Sequence, residues 1–422
     1  MYIHILQIVS NTHYSPLIWN CGNHSTIPPI MAVVFSISDT IPIRLSKFCI
    51  ADGNVPRHFI SLSLTIPGNL LTETKINKSC KEICGSRIRV LLDCMMTSIL
   101  KRTYLVTGGA GFIGSHLCEA LLEQGGEVIC LDNLCDFYDP DIKLANLRNM
   151  LSQPNFSFIK ADIRDAQALN HIFSFNNIDM LIHIAAMAGV RPSIQNPDLY
   201  YDVNLMGTLR LLEMCRAYGV NKLVFASSSS VYGNNRVPFS ESDPVDNPIS
   251  PYAASKKAAE LMCHTWHYLH DISTICLRFF TVYGPRQRPD LAIHKFARDI
   301  LADRAITMFG SGSSARDYTY VDDIIQGVIK AIERLEDSSE KLYEIYNLGN
   351  SSPITLQDMI KRLEHALGKK AKIRCKDMQP GDVECTYADI SKAEEALHYK
   401  PQTEFEEGLA KFCSWLMQNT KD

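Results

Sequence analysis

The sequence predicts an α/β protein built on a doubly wound parallel sheet. Three observations lead to this prediction. Short apolar strands alternate with amphipathic helices from residue 103 onward, which is the pattern of a parallel sheet covered by helices on both faces. A glycine-rich turn follows the first strand and opens a helix. The second strand ends in an acidic residue, Asp132, at a spacing typical of dinucleotide-binding folds.

The predicted strands are short runs dominated by apolar residues. They cover residues 104–106, 127–132, 156–160, 180–184 and 223–225. Residues 115–124 have the spacing of an amphipathic helix, and further helical stretches separate the later strands.

The composition indicates a soluble globular protein. The chain has 422 residues, of which 46% are hydrophobic and 21% are charged, and its formal net charge is −4. This charge argues against nucleic-acid binding, and no run of about 18 apolar residues predicts a membrane helix. The 14 cysteines show no zinc-binding spacing, so no metal is expected. They are typical of reduced thiols in a cytoplasmic protein.

The chain changes character near residue 96. Residues 1–95 show no sustained helical or strand period and carry no motif. We expect this N-terminal extension to be disordered or to result from an early start codon, with the true start at Met95 or Met96. Residues 96–280 are predicted to form the dinucleotide-binding domain.

The glycine-rich turn, GGAGFIG at 108–114, predicts the cofactor site. Glycines let the backbone approach a pyrophosphate, and a helix N-terminus offers it free N–H donors. Asp132 is expected to hold the adenosine ribose hydroxyls and to repel a 2′-phosphate, so NAD is favoured over NADP. A tight turn without a ligand is the structural alternative. The expected cofactor contacts are Gly108, Gly111, Phe112, Ile113, Gly114, Asp132, Asn133, Asp162, Ile163, Ala185 and Ala186, with Tyr252 and Lys256.

A Tyr-x-x-x-Lys pair, Tyr252 and Lys256, predicts the catalytic residues. Residues four apart share one helix face. A phenol is a poor base at neutral pH, and we expect the Lys256 ammonium and a positively charged nicotinamide to lower the Tyr252 pKa. The serine run at 227–230 ends an apolar strand, where open α/β sheets bind ligands, so Ser228 is expected to donate to a substrate oxygen. An exposed helix face and a flexible linker are the structural alternatives.

Residues from about 103 to 418 resemble the extended short-chain dehydrogenase/reductases that act on nucleotide sugars, and among them the UDP-glucuronate 4-epimerases. The resemblance also implies a Rossmann-like fold with a smaller C-terminal substrate-binding domain. That domain, over residues 281–422, would mainly bind the nucleotide sugar, with some segments returning to the sheet. It is carried by TGGAGFIG, DNLCDFYDP (132–140), AAMAGVRPS (185–193), ASSSSVYG (226–233), YAASK (252–256), LRFFTVYGPRQRPD (277–290), RDYTYVDD (316–323), YNLGNSSP (346–353) and QPGDV (379–383).

This resemblance implies an NAD-dependent isomerase that inverts C4 of a UDP-sugar through a transient 4-keto intermediate. Tyr252 would be the acid/base, Lys256 its tuning residue and Ser228 the main hydroxyl donor. The implied substrate contacts are Ser229, Ser230, Thr281, Arg288, Arg316 and Asp382, with Arg191 as a further candidate. For Arg288 and Arg316, a surface ion pair is the structural alternative.

The serine run separates this chain from its neighbours in the family. Sugar 4,6-dehydratases carry an Asp-Glu pair there, and glucuronate decarboxylases carry a Glu, whereas this chain has Ser229 and Ser230. UDP-glucose epimerases usually have Asn in place of Thr281 and Arg in place of Gln379. The open alternatives are a UDP-glucose/galactose 4-epimerase, another nucleotide-sugar epimerase or dehydratase, and a non-enzymatic NAD-binding sensor.

The expected partners are a UDP-sugar and a second copy of the chain, with no nucleic acid and no membrane. In this family, helices corresponding to 253–268 and 200–218 commonly form a four-helix dimer interface. The apolar residues at Leu205, Leu209, Leu212 and Cys215 fit either that interface or the core.

Overall fold

The structure is a computed structural model that describes residues 102–377 and 383–419 in full, together with the backbone of seven short strands before residue 74. Residues 1–100 and 101–422 form two compact units, and each is described by itself. In the first unit, β1–β2–β3, β4–β5 and β6–β7 pair as small antiparallel sheets. These strands are Ser15–Trp19, Ile30–Phe35, Arg44–Ser46, Phe48–Asp52, Val55–Ile60, Leu62–Ser63 and Thr72–Glu73. Most of residues 1–95 lie outside the described residues. The interpretation that this segment is disordered or results from an early start codon therefore stays a prediction.

The second unit is built on a seven-stranded parallel sheet in the order β10-β9-β8-β11-β12-β13-β17. The chain winds outward from β8 in one direction and then from β11 in the other, so the predicted doubly wound, Rossmann-like fold is confirmed. These strands are Thr103–Thr107, Glu127–Asp132, Phe156–Lys160, Met180–His183, Lys222–Ser228, Ser273–Phe279 and Tyr343–Leu348, for β8 to β13 and β17. The sequence predicted the first five; β13 and β17 were missed.

Helices cover both faces of this sheet. Numbered α1 to α12, they are Phe112–Glu123, Pro140–Leu147, Ala166–Phe175, Val190–Gln195, Pro197–Tyr201, Thr208–Tyr218, Pro251–His270, Ala292–Leu301, Val321–Asp337, Leu356–Leu367, Ser391–Leu397 and Phe405–Asn419. A π-helical turn, Asp202–Gly207, joins α5 to α6, and a 3₁₀ turn, Ser229–Tyr232, follows β12.

The C-terminal part combines small sheets with a return to the central sheet. Strands β14 (Thr281–Tyr283), β16 (Ala315–Tyr320) and β18 (Pro353–Thr355) form one sheet, and β15 (Ala305–Phe309) pairs with β19 (Lys372–Lys376). Strand β17 then pairs in parallel with β13. The chain therefore crosses between the two parts more than once, and the boundary at residue 280 stays a prediction.

Helix α7 carries the predicted catalytic pair, and its ends are well defined. The Ser250 hydroxyl accepts a hydrogen bond from the Ala253 N–H at 3.1 Å, and Pro251 occupies the first turn, which are both typical N-terminal signals. The helix ends at Asp271, whose φ of 59° is left-handed. One face is buried against the sheet, whereas the opposite face exposes Leu261 and Leu269.

The neighbouring helix α6 packs into the core. Leu212 and Cys215 are buried in a hydrophobic cluster on one face of the sheet. Of the two predicted alternatives, these two residues therefore belong to the core and not to a dimer interface. Leu205 is only partly buried against the same cluster. Within residues 102–377 and 383–419, no helix combines the length and apolar composition that crossing a bilayer requires.

A buried ion pair joins α7 to the sheet. Arg278 on β13 donates through Nε and Nη2 to the two carboxylate oxygens of Glu260 on α7, both at 2.9 Å. The Ser227 hydroxyl donates to Glu260 at 2.6 Å, and Arg278 also donates to the Tyr232 hydroxyl at 2.9 Å. Burial opposes ionisation of Glu260, but the hydrogen bonds and charge of Arg278 hold its pKa below the usual value. The pair therefore ties α7 to the end of the serine-bearing strand.

Replacing Arg278 with methionine should lower the free energy of unfolding by about 3–5 kcal/mol, because Glu260 would remain buried with only the longer contact to Lys257, at 3.5 Å, in place of the two-pronged pair. Urea denaturation measures the change. The matched control is Arg216→Met, which removes an exposed pair with Glu213 and should cost less than about 1 kcal/mol. Equal losses in the two variants would contradict a structural role for the buried pair.

Candidate active site

A cleft of about 620 Å³ lies along the carboxyl ends of the central strands. It spans the switch point between β8 and β11, where open α/β sheets bind their ligands. Most predicted site residues line it: Gly108, Gly111, Phe112, Ile113, Gly114, Asp132, Asn133, Asp162, Ile163, Ala185, Ala186, Ser228, Ser229, Ser230, Tyr252, Lys256, Thr281 and Arg288.

Three predicted substrate contacts are not among the residues that line the cleft. The Arg191 guanidinium stacks over the Phe309 ring, 4.8 Å from its centroid. Arg316 donates through Nη1 to the Ala315 carbonyl at 2.8 Å. Asp382 lies outside the described residues. The roles of these residues stay predictions.

The glycine turn leaves the backbone open to a ligand in the way a dinucleotide requires. Gly108 has a φ of +70°, and a Cβ there would lie 2.7 Å from the Ala185 nitrogen. A Cβ on Gly114 would collide with the Gly108 carbonyl oxygen. A side chain at either position would force apart the strand ends and the start of α1, so glycine is needed for this close approach.

Asp132 lies at the end of β9 with its carboxylate in the cleft wall. It accepts hydrogen bonds from the Ala110 N–H at 3.2 Å and the Leu134 N–H at 2.8 Å. Burial raises the Asp132 pKa, while these two donors and the Lys143 charge oppose the rise. The carboxylate thus sits between the glycine turn and the loop after β9, where a ribose would be held.

The other end of the predicted adenosine site is a charge cluster around Asp162. Arg164 forms a two-pronged pair with this carboxylate through Nε and Nη2, both at 2.9 Å, and also donates to Asp202 at 2.7 Å. The hydrogen bonds from Arg164 lower the pKa of Asp162 to about 2. Because two carboxylates neutralise Arg164, it is a poor partner for a 2′-phosphate, and the residues of the cleft fit NAD.

Tyr252 and Ser228 both line the cleft. Burial raises the Tyr252 pKa, and the Ser228 hydrogen bond and the Arg288 charge act in the opposite direction. The sequence predicted that Lys256 and a positively charged nicotinamide lower this pKa. In the structure burial raises the Tyr252 pKa on balance, and the effects that oppose the rise come from Ser228 and Arg288, not from Lys256. The edge of the Tyr200 ring packs against Tyr252, with the two centroids 6.2 Å apart.

Lys256 takes a different position from the one expected for a direct neighbour of the phenol. Its ammonium donates to the Ala226 carbonyl at 2.7 Å and lies 5.0 Å from the centroid of the Phe225 ring. Burial lowers its pKa to about 8. Lys256 therefore holds α7 to the end of β12, one turn below Tyr252.

The four serines divide into two groups. All four border the cleft, but the Ser227 side chain is buried and donates to Glu260, whereas the next three are only partly buried. Ser230 donates to the Ser228 oxygen through both its hydroxyl, at 2.9 Å, and its N–H, at 3.2 Å. The Ser228 oxygen therefore accepts both hydrogen bonds, and its hydroxyl hydrogen remains available as a donor.

Several residues around the site were missed by sequence reasoning. Asn204, buried in the π-helical turn, accepts from the Met187 N–H at 2.8 Å and donates to the Met187 carbonyl at 3.0 Å and to Ser255 at 2.9 Å. It thereby fixes the small-residue loop after β11 against α7. No local pattern marks Asn204, because its partners are distant in sequence; π-helical turns often mark functional sites.

Beneath the cleft, a buried histidine links two elements. His183 contacts the hydroxyl oxygens of Thr107 at 2.7 Å and Thr208 at 3.0 Å. Burial lowers the His183 pKa to about 3, so the imidazole is neutral and acts as a structural link between β8, β11 and α6.

Known proteins share this architecture. The family model described as GDP-mannose 4,6 dehydratase matches residues 105–412. A UDP-glucuronate 4-epimerase from Thermodesulfobacterium geofontis is 45% identical over 317 residues, which cover 75% of this chain and 96% of that protein.

Solved structures agree with this match. The UDP-glucuronic acid 4-epimerase from Bacillus cereus, in complex with UDP-glucuronic acid and NAD, has a TM-score of 0.71 and 36% identity, covering 75% of this chain and 99% of its own. A UDP-glucose 4-epimerase from Thermotoga maritima, with UDP-glucose, has a TM-score of 0.68 and 32% identity, covering 76% and 100%.

These comparisons confirm the resemblance, the prediction of an enzyme of this class and the prediction of NAD as its cofactor. The chain belongs to the GDP-mannose 4,6 dehydratase family, as an extended short-chain dehydrogenase/reductase of the nucleotide-sugar epimerase type.

Proposed function

We propose that this protein is an NAD-dependent UDP-sugar 4-epimerase whose substrate is UDP-glucuronate, which it interconverts with UDP-galacturonate. The observation that carries the proposal is the grouping of Tyr252, Ser228 and Arg288 at one cleft, with a proton-transfer group, a hydroxyl donor and a cation on the same side. Relatives of this chain bear the name of that activity.

Tyr252 is the acid and base of the proposed reaction. Its phenolate takes the proton from the sugar 4-hydroxyl, and the same group returns the proton after the sugar has turned over. Bound NAD supplies the hydride acceptor and donor for C4. With substrate bound, the Ser228 hydroxyl donates to the sugar oxygen at C4, so the charge that develops there meets a fixed donor.

The carboxylate of glucuronate requires a second function of the site. The 4-keto form of glucuronate is a β-keto acid, which loses CO₂ when the carboxylate aligns with the ketone. Arg288 lies at the cleft with Thr281, and in this proposal it is the cation that holds that carboxylate. Such a clamp keeps the acid charged and out of line during turnover.

The serine run disfavours elimination chemistry. At the positions where dehydratases carry an Asp-Glu pair, this chain presents the hydroxyls of Ser229 and Ser230 at the cleft. A hydroxyl cannot replace a carboxylate as the acid or base that expels water. Since Tyr252 and Lys256 are both present, a sensor without catalysis is disfavoured as well.

Purified protein incubated with UDP-glucuronate and NAD is expected to form UDP-galacturonate, as followed by chromatography. Tyr252→Phe keeps the ring but removes the transferable proton, so the rate should fall by about 10²–10⁴-fold. UDP-glucose and UDP-galactose are assayed in parallel. Conversion of these neutral sugars without conversion of UDP-glucuronate would refute the substrate assignment, and no conversion of any sugar would favour the sensor.

Ser228→Ala should shift the acid limb of the kcat/KM pH profile to higher pH. The Ser228 hydrogen bond lowers the Tyr252 pKa, so its removal raises that pKa. Because the ionised phenol is the base, activity is lost as the pH falls below the Tyr252 pKa, and this loss then begins at higher pH. In Ser229→Ala the limb should keep its position, and an unchanged limb in Ser228→Ala would contradict the proposed contact.

A homodimer formed through α7 is part of the same proposal. The outer face of α7 exposes Leu261 at 56% and Leu269 at 60%, and Met206 at 43% lies on the adjoining π-helical turn. Leu261→Glu should convert the dimer to a monomer in light scattering, because a buried unpaired charge is costly. Leu151→Glu, at a similarly exposed leucine elsewhere (55%), should remain dimeric. A monomeric wild-type protein would refute the proposal.

The cytoplasmic location stays a prediction. All cysteines of the described residues are free thiols, as a reducing compartment requires.

A further inference from the structure

The loop that carries Arg288 is fixed to the cofactor-binding helix. Arg286 donates through Nη2 to Glu119 on α1 at 2.8 Å, and the His116 Nε2 donates to the Pro285 carbonyl at 3.0 Å. On the other side, the His294 Nδ1 donates to the Gln287 carbonyl. These contacts hold the loop backbone on both sides of residue 287, so the remaining freedom at Arg288 lies in its side chain.

That side chain is held by a residue to which no role has been assigned. Asp290 accepts from Arg288 through two parallel hydrogen bonds, Nε to Oδ1 at 3.0 Å and Nη2 to Oδ2 at 2.7 Å. Nη2 also donates to the Ala188 carbonyl at 3.3 Å, and the Phe137 ring centroid lies 5.1 Å from the guanidinium carbon. A two-pronged pair of this kind fixes the plane of the guanidinium as well as its position.

The pairing decides which edge of the guanidinium remains available. Asp290 occupies the edge formed by Nε and Nη2, whereas Nη1 makes no hydrogen bond among the described residues. Arg288 lines the same cleft as Tyr252 and Ser228. An incoming carboxylate would therefore meet the end of the guanidinium that carries Nη1, in one orientation.

We propose that Asp290 is a positioning residue that determines specificity for a carboxylate-bearing sugar by fixing the orientation in which Arg288 presents its free Nη1 edge to the cleft. The inference rests on the proposed function and deepens it. Asp290 itself does not touch the sugar. Its side chain is 37% exposed, against 17% for Arg288, so its replacement leaves the core intact.

The negative charge of Asp290 has a second effect, which changes the affinity for UDP-glucuronate in the opposite direction. A second carboxylate near the sugar carboxylate repels it, and if this repulsion dominated, removing Asp290 would tighten the binding of UDP-glucuronate. Orientation dominates in our proposal because a hydrogen bond to a charged group contributes most when its donor is already held in place. The direction in which the KM for UDP-glucuronate changes in Asp290→Ala distinguishes the two effects.

The test compares Asp290→Ala with wild type on UDP-glucuronate and on UDP-glucose, which lacks the carboxylate. We expect the KM for UDP-glucuronate to rise by about 10-fold or more, with a larger fraction of decarboxylated product. The KM for UDP-glucose should change by less than about 3-fold. Asp290→Asn keeps one acceptor oxygen and should give an intermediate KM.

Two controls separate positioning from loss of charge and from general damage. Asp136→Ala removes the same charge from an exposed residue of the cleft wall and should not change the ratio of the two KM values. In an Arg288→Ala background, Asp290→Ala should have less than about a 2-fold further effect, because the two residues act as one unit. A lower KM for UDP-glucuronate in Asp290→Ala, or an equal rise for both sugars, would overturn the inference.

Calorimetric titration of the NAD-loaded protein with each UDP-sugar makes the result independent of turnover. If wild type fails to convert UDP-glucuronate, the proposed function fails. The inference is still decided by binding: Asp290→Ala must lose the preference for UDP-glucuronate over UDP-glucose. Absence of that preference in wild type, or its retention in Asp290→Ala, overturns it.

Discussion

The geometry of the site depends on the buried ion pair between Arg278 and Glu260. It lies where β12, β13 and α7 meet, and it continues through Tyr232 to Asn347 on β17. Because side chains alternate along a strand, the inward position of Ser227 on this pair sends Ser228 to the opposite face, toward the cleft. The same pair sets the rotation of α7, since Glu260 follows Lys256 and Tyr252 at four-residue intervals on one helix face. A single buried interaction thus sets the relative placement of the hydroxyl donor and the phenol.

Burial at the cleft opposes the ionisation of both Tyr252 and Lys256. Removing water raises the pKa of the Tyr252 phenol and lowers the pKa of the Lys256 ammonium to about 8. The structure compensates at Tyr252 with a hydrogen bond from Ser228 and with the charge of Arg288. In a site that excludes water, such fixed donors and charges act more strongly than they would in solution. The phenol is therefore tuned by the residues that also contact the substrate in the proposed mechanism.

The two ends of the cleft are mechanically connected. Helix α1 begins at the glycine turn, and its Glu119 and His116 hold the loop that presents Arg288. Helix α1 and the proposed carboxylate clamp therefore form one packed unit. Arg286 adopts a left-handed φ of 63° within this loop, a conformation that is uncommon for a residue with a side chain. The contacts of its guanidinium with α1 help to stabilise that turn.

The sequence by itself determined the features that depend on local pattern. Apolar runs predicted five strands of the central sheet, the glycine turn predicted the start of α1, and Tyr252 with Lys256 predicted one functional helix face. Strands β13 and β17 were not predicted because charged and polar residues interrupt their apolar runs. Those residues are buried only because they bind partners far along the chain. Tertiary structure alone decided that Lys256 points to the Ala226 carbonyl, that Ser227 and Ser228 face opposite ways, and that Asp290 holds Arg288. These outcomes depend on side-chain rotamers and on contacts between distant segments, which hydrophobic periodicity and motif spacing do not encode.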